Sequence, residues 1–202
     1  LCSRLSSRVK QLFDHYIRRG VDCHGVNQAA SQNPKARAKS ISEAAPDCYC
    51  EKYRMSKSSP GIVADRETLA RFVFLPMHVN KKGDKVKPTI FDQIHNSGCS
   101  VQRESIAPNA EFASFVTKFL NGSDERGWIG VLSANCKAVR DIRIESEIER
   151  ALCVYDTAEL ENPAHAEIFG ARRASMEADN GELRFHLRVA FNNGRILPAP
   201  AY

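Results

Sequence analysis

His165 and Glu167 lie two residues apart in Asn162-Pro163-Ala164-His165-Ala166-Glu167-Ile168-Phe169-Gly170, which holds an imidazole and a carboxylate between two chain-breaking signals. Asn162 suits a helix N-cap, Pro163 the first helical position and Gly170 the C-cap, so the spacing predicts a short helix here. On a helix, side chains at i and i+2 do not face each other, so a compact site would need further groups from elsewhere in the chain. Two such groups stand out. Arg71 interrupts the apolar run Leu69-Ala70-Arg71-Phe72-Val73-Phe74-Leu75, and Ser100 lies between Cys99 and Val101. A guanidinium can hold a phosphate bidentately. A serine on a strand can hydrogen-bond a ribose or an amide. A carboxylate can stabilise the cationic transition state of an N-glycosidic cleavage. Plainer roles exist for each: Arg71 as a solvated residue of an amphipathic element, Ser100 as a small filler, and His165 as a hydrogen-bonding brace for the Asp156 loop.

The elements that must position these residues mix without a regular strand–helix alternation. Strands are expected at 98–103, 128–132, 138–144 and 152–155. Helices are expected at 4–19, from Pro108 through the Phe112, Phe115, Val116 and Phe119 stripe, and at 181–192. Residues 69–75 are ambiguous between helix and strand. Residues 27–47 are poor in large apolar groups and read as a linker. The fold class expected is α+β, a small mixed sheet with flanking helices preceded by a helical, basic, cysteine-bearing N-terminal segment. The break Ser56-Lys57-Ser58-Ser59-Pro60-Gly61 places the boundary between an N-terminal unit, 1–60, and a body, 61–202. The chain has no Gly-rich phosphate loop, no Gly-x-Ser-x-Gly and no His-Glu-x-x-His.

The order Arg71, Ser100, Glu167 resembles the Arg–Ser–Glu arrangement of ADP-ribosyltransferases, which implies NAD as a substrate and catalysis at Glu167. A second resemblance runs across residues 69–170. It is carried by Leu69-Ala70-Arg71-Phe72, Val86-Lys87-Pro88 with Phe91, Ser100-Val101, Tyr155-Asp156 and Asn162 to Ile168. These pieces resemble a group of small prokaryotic proteins without an assigned reaction, and imply a prokaryotic or phage setting linked to mobile elements or antiviral defence.

Charge is unevenly distributed. Of a net +5, residues 1–60 hold eleven Lys and Arg against five Asp and Glu, while the remainder is close to neutral. A basic arm carrying Arg18, Arg19, Lys35, Arg37 and Lys39 suits nucleic acid or an acidic protein surface. Seven cysteines, an odd number with no secretory leader in view, argue for reduced thiols and a cytoplasmic protein. Cys99, Cys136 and Cys153 fall in apolar runs and read as small core residues. Cys23, His24, Cys48 and Cys50 could together bind zinc and so order a polar segment with little core; unlinked thiols are the simpler reading. Asp156, His165 and Glu167 form another metal-capable set, without a paired-histidine spacing to support it. No stretch approaches the roughly 18 apolar residues that span a bilayer.

Two functions are consistent with these residues. One is an accessory or binding module of a larger complex, contacting nucleic acid or an acidic partner through its basic arm. The other is an NAD-consuming enzyme using Arg71, Ser100 and Glu167, with His165 beside them.

Overall fold

The computed structural model describes residues 21–29, 33–44, 46–107, 116, 127–144, 150–171 and 180–198. Its centre is a six-stranded sheet whose neighbouring strands all pair antiparallel. In chain order the strands are β1 (Thr68–Leu75), β2 (Cys99–Arg103), β3 (Gly127–Asn135), β4 (Leu152–Asp156), β5 (His165–Gly170) and β6 (Leu197–Pro198). They are arranged β4-β5-β2-β1-β3-β6. The helices are α1 (Cys23–Ala29), α2 (Pro34–Ala44), α3 (Cys136–Arg140) and α4 (Asn180–Ala190), with 3-10 segments at Pro46–Lys52 and Pro88–His95. The α+β class is as expected. So are the strands near 98–103, 128–132 and 152–155 and the last long helix.

Three expectations are corrected. Residues 165–170 are a strand, not a capped helix, and Asn162-Pro163 forms the turn that leads into it. Glu159 and Asn162 exchange backbone hydrogen bonds of 3.0 and 3.1 Å, and the His165 amide donates to the Asn162 carbonyl at 3.1 Å. The same Asn-Pro pair suits a turn as well as a helix start, and a two-turn helix gains little against its nucleation cost. Residues 27–47 are not a linker. Asn33 caps α2 by accepting from the Ala36 amide at 3.1 Å, Pro34 occupies the first helical position, and Ala38 and Ile41 are buried. Residues 136–140 form a helix where a strand over 138–144 was expected, because the Asn135 side chain caps the Lys137 amide at 3.0 Å. The helices expected at 4–19 and after Pro108 lie outside the described residues.

Cys23 is bonded to Cys50, and Cys48 to Cys153 in β4. This corrects the expectation of reduced thiols for these four; among the described cysteines, Cys99 and Cys136 are free and buried. Through these bonds the 23–55 segment shares one buried cluster with the sheet: Cys23, Ile41, Cys48, Cys50 and Met55 pack into the same core as Val154, Ile168 and Leu187.

Register fixes which side chains share a face, because directly opposed residues project the same way and neighbours along a strand project oppositely. Ser100, Glu167 and Tyr155 form one row across β2, β5 and β4, and Gln102 opposes His165. This face meets the N-terminal segment. The other face carries Leu69, Val101, Ile168 and Val154. The 88–95 segment and α4 face the sheet together, with the Phe91 and Phe191 rings 5.3 Å apart.

Candidate functional site

A polar row crosses three strands of the sheet at Ser100, Glu167 and Tyr155, with Glu167 at its centre. Glu167 is 2 % exposed, and its Oε1 accepts a hydrogen bond from the Arg37 Nη2 of α2. Arg37 is itself buried, because α2 lies over the sheet with Ala38 and Ile41 turned inward. His165, two residues earlier on the same face, sits with Nδ1 3.0 Å from Thr157 Oγ1 and 3.1 Å from the Thr157 carbonyl. The tautomer decides whether Nδ1 donates to that carbonyl or accepts from the hydroxyl. His165 thus braces the loop after β4, as its plainer reading had it.

Arg71 does not join this row. Its neighbour Ala70 opposes Gln102, which shares a face with Ser100 two residues away, so Arg71 projects from the opposite side of the sheet. Its guanidinium donates to the Ser100 carbonyl at 2.8 Å, the Ile90 carbonyl at 3.2 Å and Gln93 Oε1 at 3.1 Å. Those bonds pin the 88–95 segment to β2 and spend the fork on the protein's own backbone. The Ser100 atom Arg71 touches is backbone oxygen, while the hydroxyl lies on the Glu167 side. The expected convergence of Arg71, Ser100 and Glu167 on one substrate is therefore not formed.

Asp156 is likewise separated from His165 and Glu167, since it opposes Ala166 rather than either of them. It belongs to a second buried cluster that the sequence did not reveal. Arg103 binds Glu67 bidentately, Nε to Oε2 at 2.7 Å and Nη2 to Oε1 at 2.8 Å. Arg103 also donates to the Gly61 and Ile62 carbonyls at 2.7 and 3.2 Å, and its Nη1 stands 3.5 Å from Asp156. Ser105 and the Ala64 amide supply Glu67 with further donors at 2.9 and 2.6 Å. A third carboxylate, Glu51, takes both Arg150 donors at 2.8 Å, stands 3.4 Å from Arg140 and accepts from the Val154 amide of β4. The signal that could have found these clusters is an arginine within or beside an apolar strand, as at Arg103 and Arg150. Their carboxylate partners are 36 and 99 residues away in sequence and carry no mark of the pairing.

The metal-capable sets fare differently from the expectation. Cys23, Cys48 and Cys50 have their sulfurs in disulfides and offer no thiolate. His24 turns Nδ1 to the Met55 carbonyl at 3.3 Å. Among the described residues, no group of three or more His, Cys, Asp or Glu is placed to hold a metal ion. Of the basic arm, Lys35 and Lys39 are exposed, Arg37 is consumed by Glu167, and Arg18 and Arg19 lie outside the described residues.

Burial raises the Glu167 pKa against the pull of His165 and Arg37, and raises that of Asp156 against Ser59 and Arg103. For Glu67, burial also raises, but Arg103, the Ala64 amide and Ser105 together carry its pKa below the usual value. A carboxyl with a raised pKa in the fold binds more protons folded than unfolded, so its contribution is fully present below the unfolded pKa and is lost as pH rises through the folded one. Glu67 does the reverse and loses its contribution as pH falls through its lowered pKa. Thermal midpoints are expected to rise as pH is lowered from neutral towards the usual glutamate value of 4.5, then to fall below it. Glu167→Gln should flatten the rising limb. A midpoint that falls steadily from pH 7 downwards, identically in both proteins, would contradict this assignment.

No helix among the described residues is long and apolar enough to cross a membrane. Comparison with protein-family models, with curated proteins and with solved structures found no match for the chain.

Proposed function

We propose that this chain is a binding module that joins a larger assembly by presenting exposed basic side chains to a polyanionic partner, and that it is not an NAD-consuming enzyme. The observation that carries this reading is the placement of Arg71. It lies on the far face of the sheet from the Ser100 and Glu167 side chains, and both of its Nη atoms donate to oxygens of the protein itself, so no single substrate reaches all three side chains. Three carboxylates of the interior are paired with arginines inside the protein: Glu167 with Arg37, Glu67 with Arg103 and Glu51 with Arg150. The resemblance to small prokaryotic proteins supports an assembly of the mobile-element or defence kind.

The test is nicotinamide release from NAD by purified protein beside a Glu167→Gln variant, with and without added nucleic acid. Release at the blank rate in every arm is expected. Turnover by the unaltered protein that vanishes in the variant would overturn the reading and restore the enzyme.

A further inference from the structure

A group of free positive charge among the described residues lies at a turn in the body. Residues 78–87 fold back on themselves as a short hairpin ribbon closed by a single isolated bridge. Its base is the Val79–Val86 bridge, both residues buried, with the Lys87 amide donating to the His78 carbonyl at 2.8 Å and the Asn80 amide to the Lys85 carbonyl at 2.9 Å. Its tip is Asn80-Lys81-Lys82-Gly83-Asp84-Lys85. Asn80 holds the tip in one shape: its Oδ1 accepts from the Asp84 and Lys85 amides at 3.1 and 3.2 Å. The Asn80 Nδ2 donates to the Asp84 carboxylate at 2.7 Å, and the Asn80 carbonyl accepts from Gly83 at 2.9 Å. Gly83 has φ +77°, which the turn needs and a side chain would strain. The one acid of the tip is thus turned back onto Asn80. Lys81, Lys82 and Lys85 are exposed and make no ion pair among the described residues. Lys87 is different: it straps the base by donating to the Pro76 carbonyl at 2.9 Å.

We infer that this lysine-tipped ribbon is the element that contacts the phosphate backbone of a nucleic acid. The inference rests on the binding-module reading and names the surface and partner for it. Three unpaired ammonium groups stand on a turn whose backbone is already held in one shape, and lysine binds phosphate as a point charge. The tip's composition favours this partner over two others. An acidic protein interface is usually anchored by arginine and aromatic residues and depleted in lysine, and the tip has neither anchor. A lipid surface needs apolar groups beside the charges, whereas the exposed Leu75 and Met77 belong to the ribbon's base, below the Lys87 strap. Contacts of this kind set position rather than sequence, so binding should be largely indifferent to base sequence.

The experiment is fluorescence anisotropy of a mixed-sequence 25-base-pair duplex between 50 and 200 mM salt. It compares the unaltered chain, the Lys81→Ala/Lys82→Ala/Lys85→Ala triple variant and a Lys35→Ala/Lys39→Ala variant, all checked for an unchanged thermal midpoint. Each lost phosphate contact lowers the slope of log K against log salt by about 0.9. The triple variant should lose affinity at least tenfold at 50 mM salt and lower the slope by about 2 to 3, while the Lys35/Lys39 variant stays near the unaltered chain. A triple variant that binds as tightly, with the same slope, overturns the inference. If the Lys35/Lys39 variant then fails to bind, the module reading stands with the arm as its contact. An unaltered chain that ignores the duplex but binds phosphatidylserine vesicles also overturns the inference, in favour of a lipid surface. Failure of the module reading itself is read separately, by turnover of NAD.

Discussion

A Cys48→Ser/Cys153→Ser double variant is expected to lose about 4 to 5 kcal/mol of stability, the chain-entropy value for closing a loop of roughly 100 residues. The bond spans 105 residues, from the 46–52 segment to β4, so it restricts the unfolded chain far more than the Cys23–Cys50 bond, which spans 27. For a domain of this size that loss corresponds to a thermal midpoint lower by about 10 °C or more. The Cys23→Ser/Cys50→Ser variant should fall by less. The measurement is calorimetry of the three proteins, repeated with a dithiol reductant. Under reduction the unaltered chain should approach the midpoint of a variant lacking both bonds. Equal midpoints for all forms, oxidised or reduced, would show that the segment is held by packing alone.

Removing the cation that faces Glu167 should be nearly as damaging. Arg37→Met keeps the bulk and apolar stem of the side chain and leaves the Glu167 carboxylate buried without its guanidinium. Breaking a buried pair from one side costs about 3 to 5 kcal/mol. The cost should shrink as pH is lowered, because burial raises the Glu167 pKa and the carboxyl takes up a proton more readily than one in water. Adding Glu167→Leu to Arg37→Met should recover most of the loss, since an apolar pair replaces an orphaned charge. Urea titrations at pH 5 and pH 7.5 check both statements. A single variant as stable as the parent at pH 7.5 would mean the pair is open to water, and a double variant no better than the single one would mean Arg37 acts through its packing.

How much of this was legible beforehand differs by element, for physical reasons. Strands with both faces buried, such as Leu152 to Tyr155, announce themselves as continuous apolar runs, and α4 does so through Leu183, Leu187 and Phe191 at helical spacing. The 165–170 strand was hidden by its turn. Asn162-Pro163 and Gly170 are the punctuation of a helix as much as of a hairpin, and only the alternation of His165, Glu167 and Phe169 against Ala166 and Ile168 distinguishes the two. The 23–52 segment was illegible because its order comes from partners far along the chain: Cys153 for Cys48, Glu167 for Arg37, Arg150 for Glu51. Residue types picked out Arg71, Ser100 and Glu167 correctly as polar groups in apolar surroundings. Types alone do not say which face of a sheet a side chain takes, and a single step of register between Ala70 and Arg71 separates a shared site from opposite sides.

Glu51 has a further consequence, for how copies of this chain meet. The sheet ends on one side at β4, and the outward amide of Val154 is occupied by the Glu51 carboxylate while Arg150 donates to the outward carbonyl of Leu152 at 3.2 Å. On the other side it ends at the two residues of β6, where Pro198 has no amide hydrogen to give. Among the described residues, each margin thus has part of its ladder closed to an incoming strand. Strand addition at Leu152–Val154 is expected to require displacing Glu51 and Arg150, so copies of the folded chain should resist stacking through that edge.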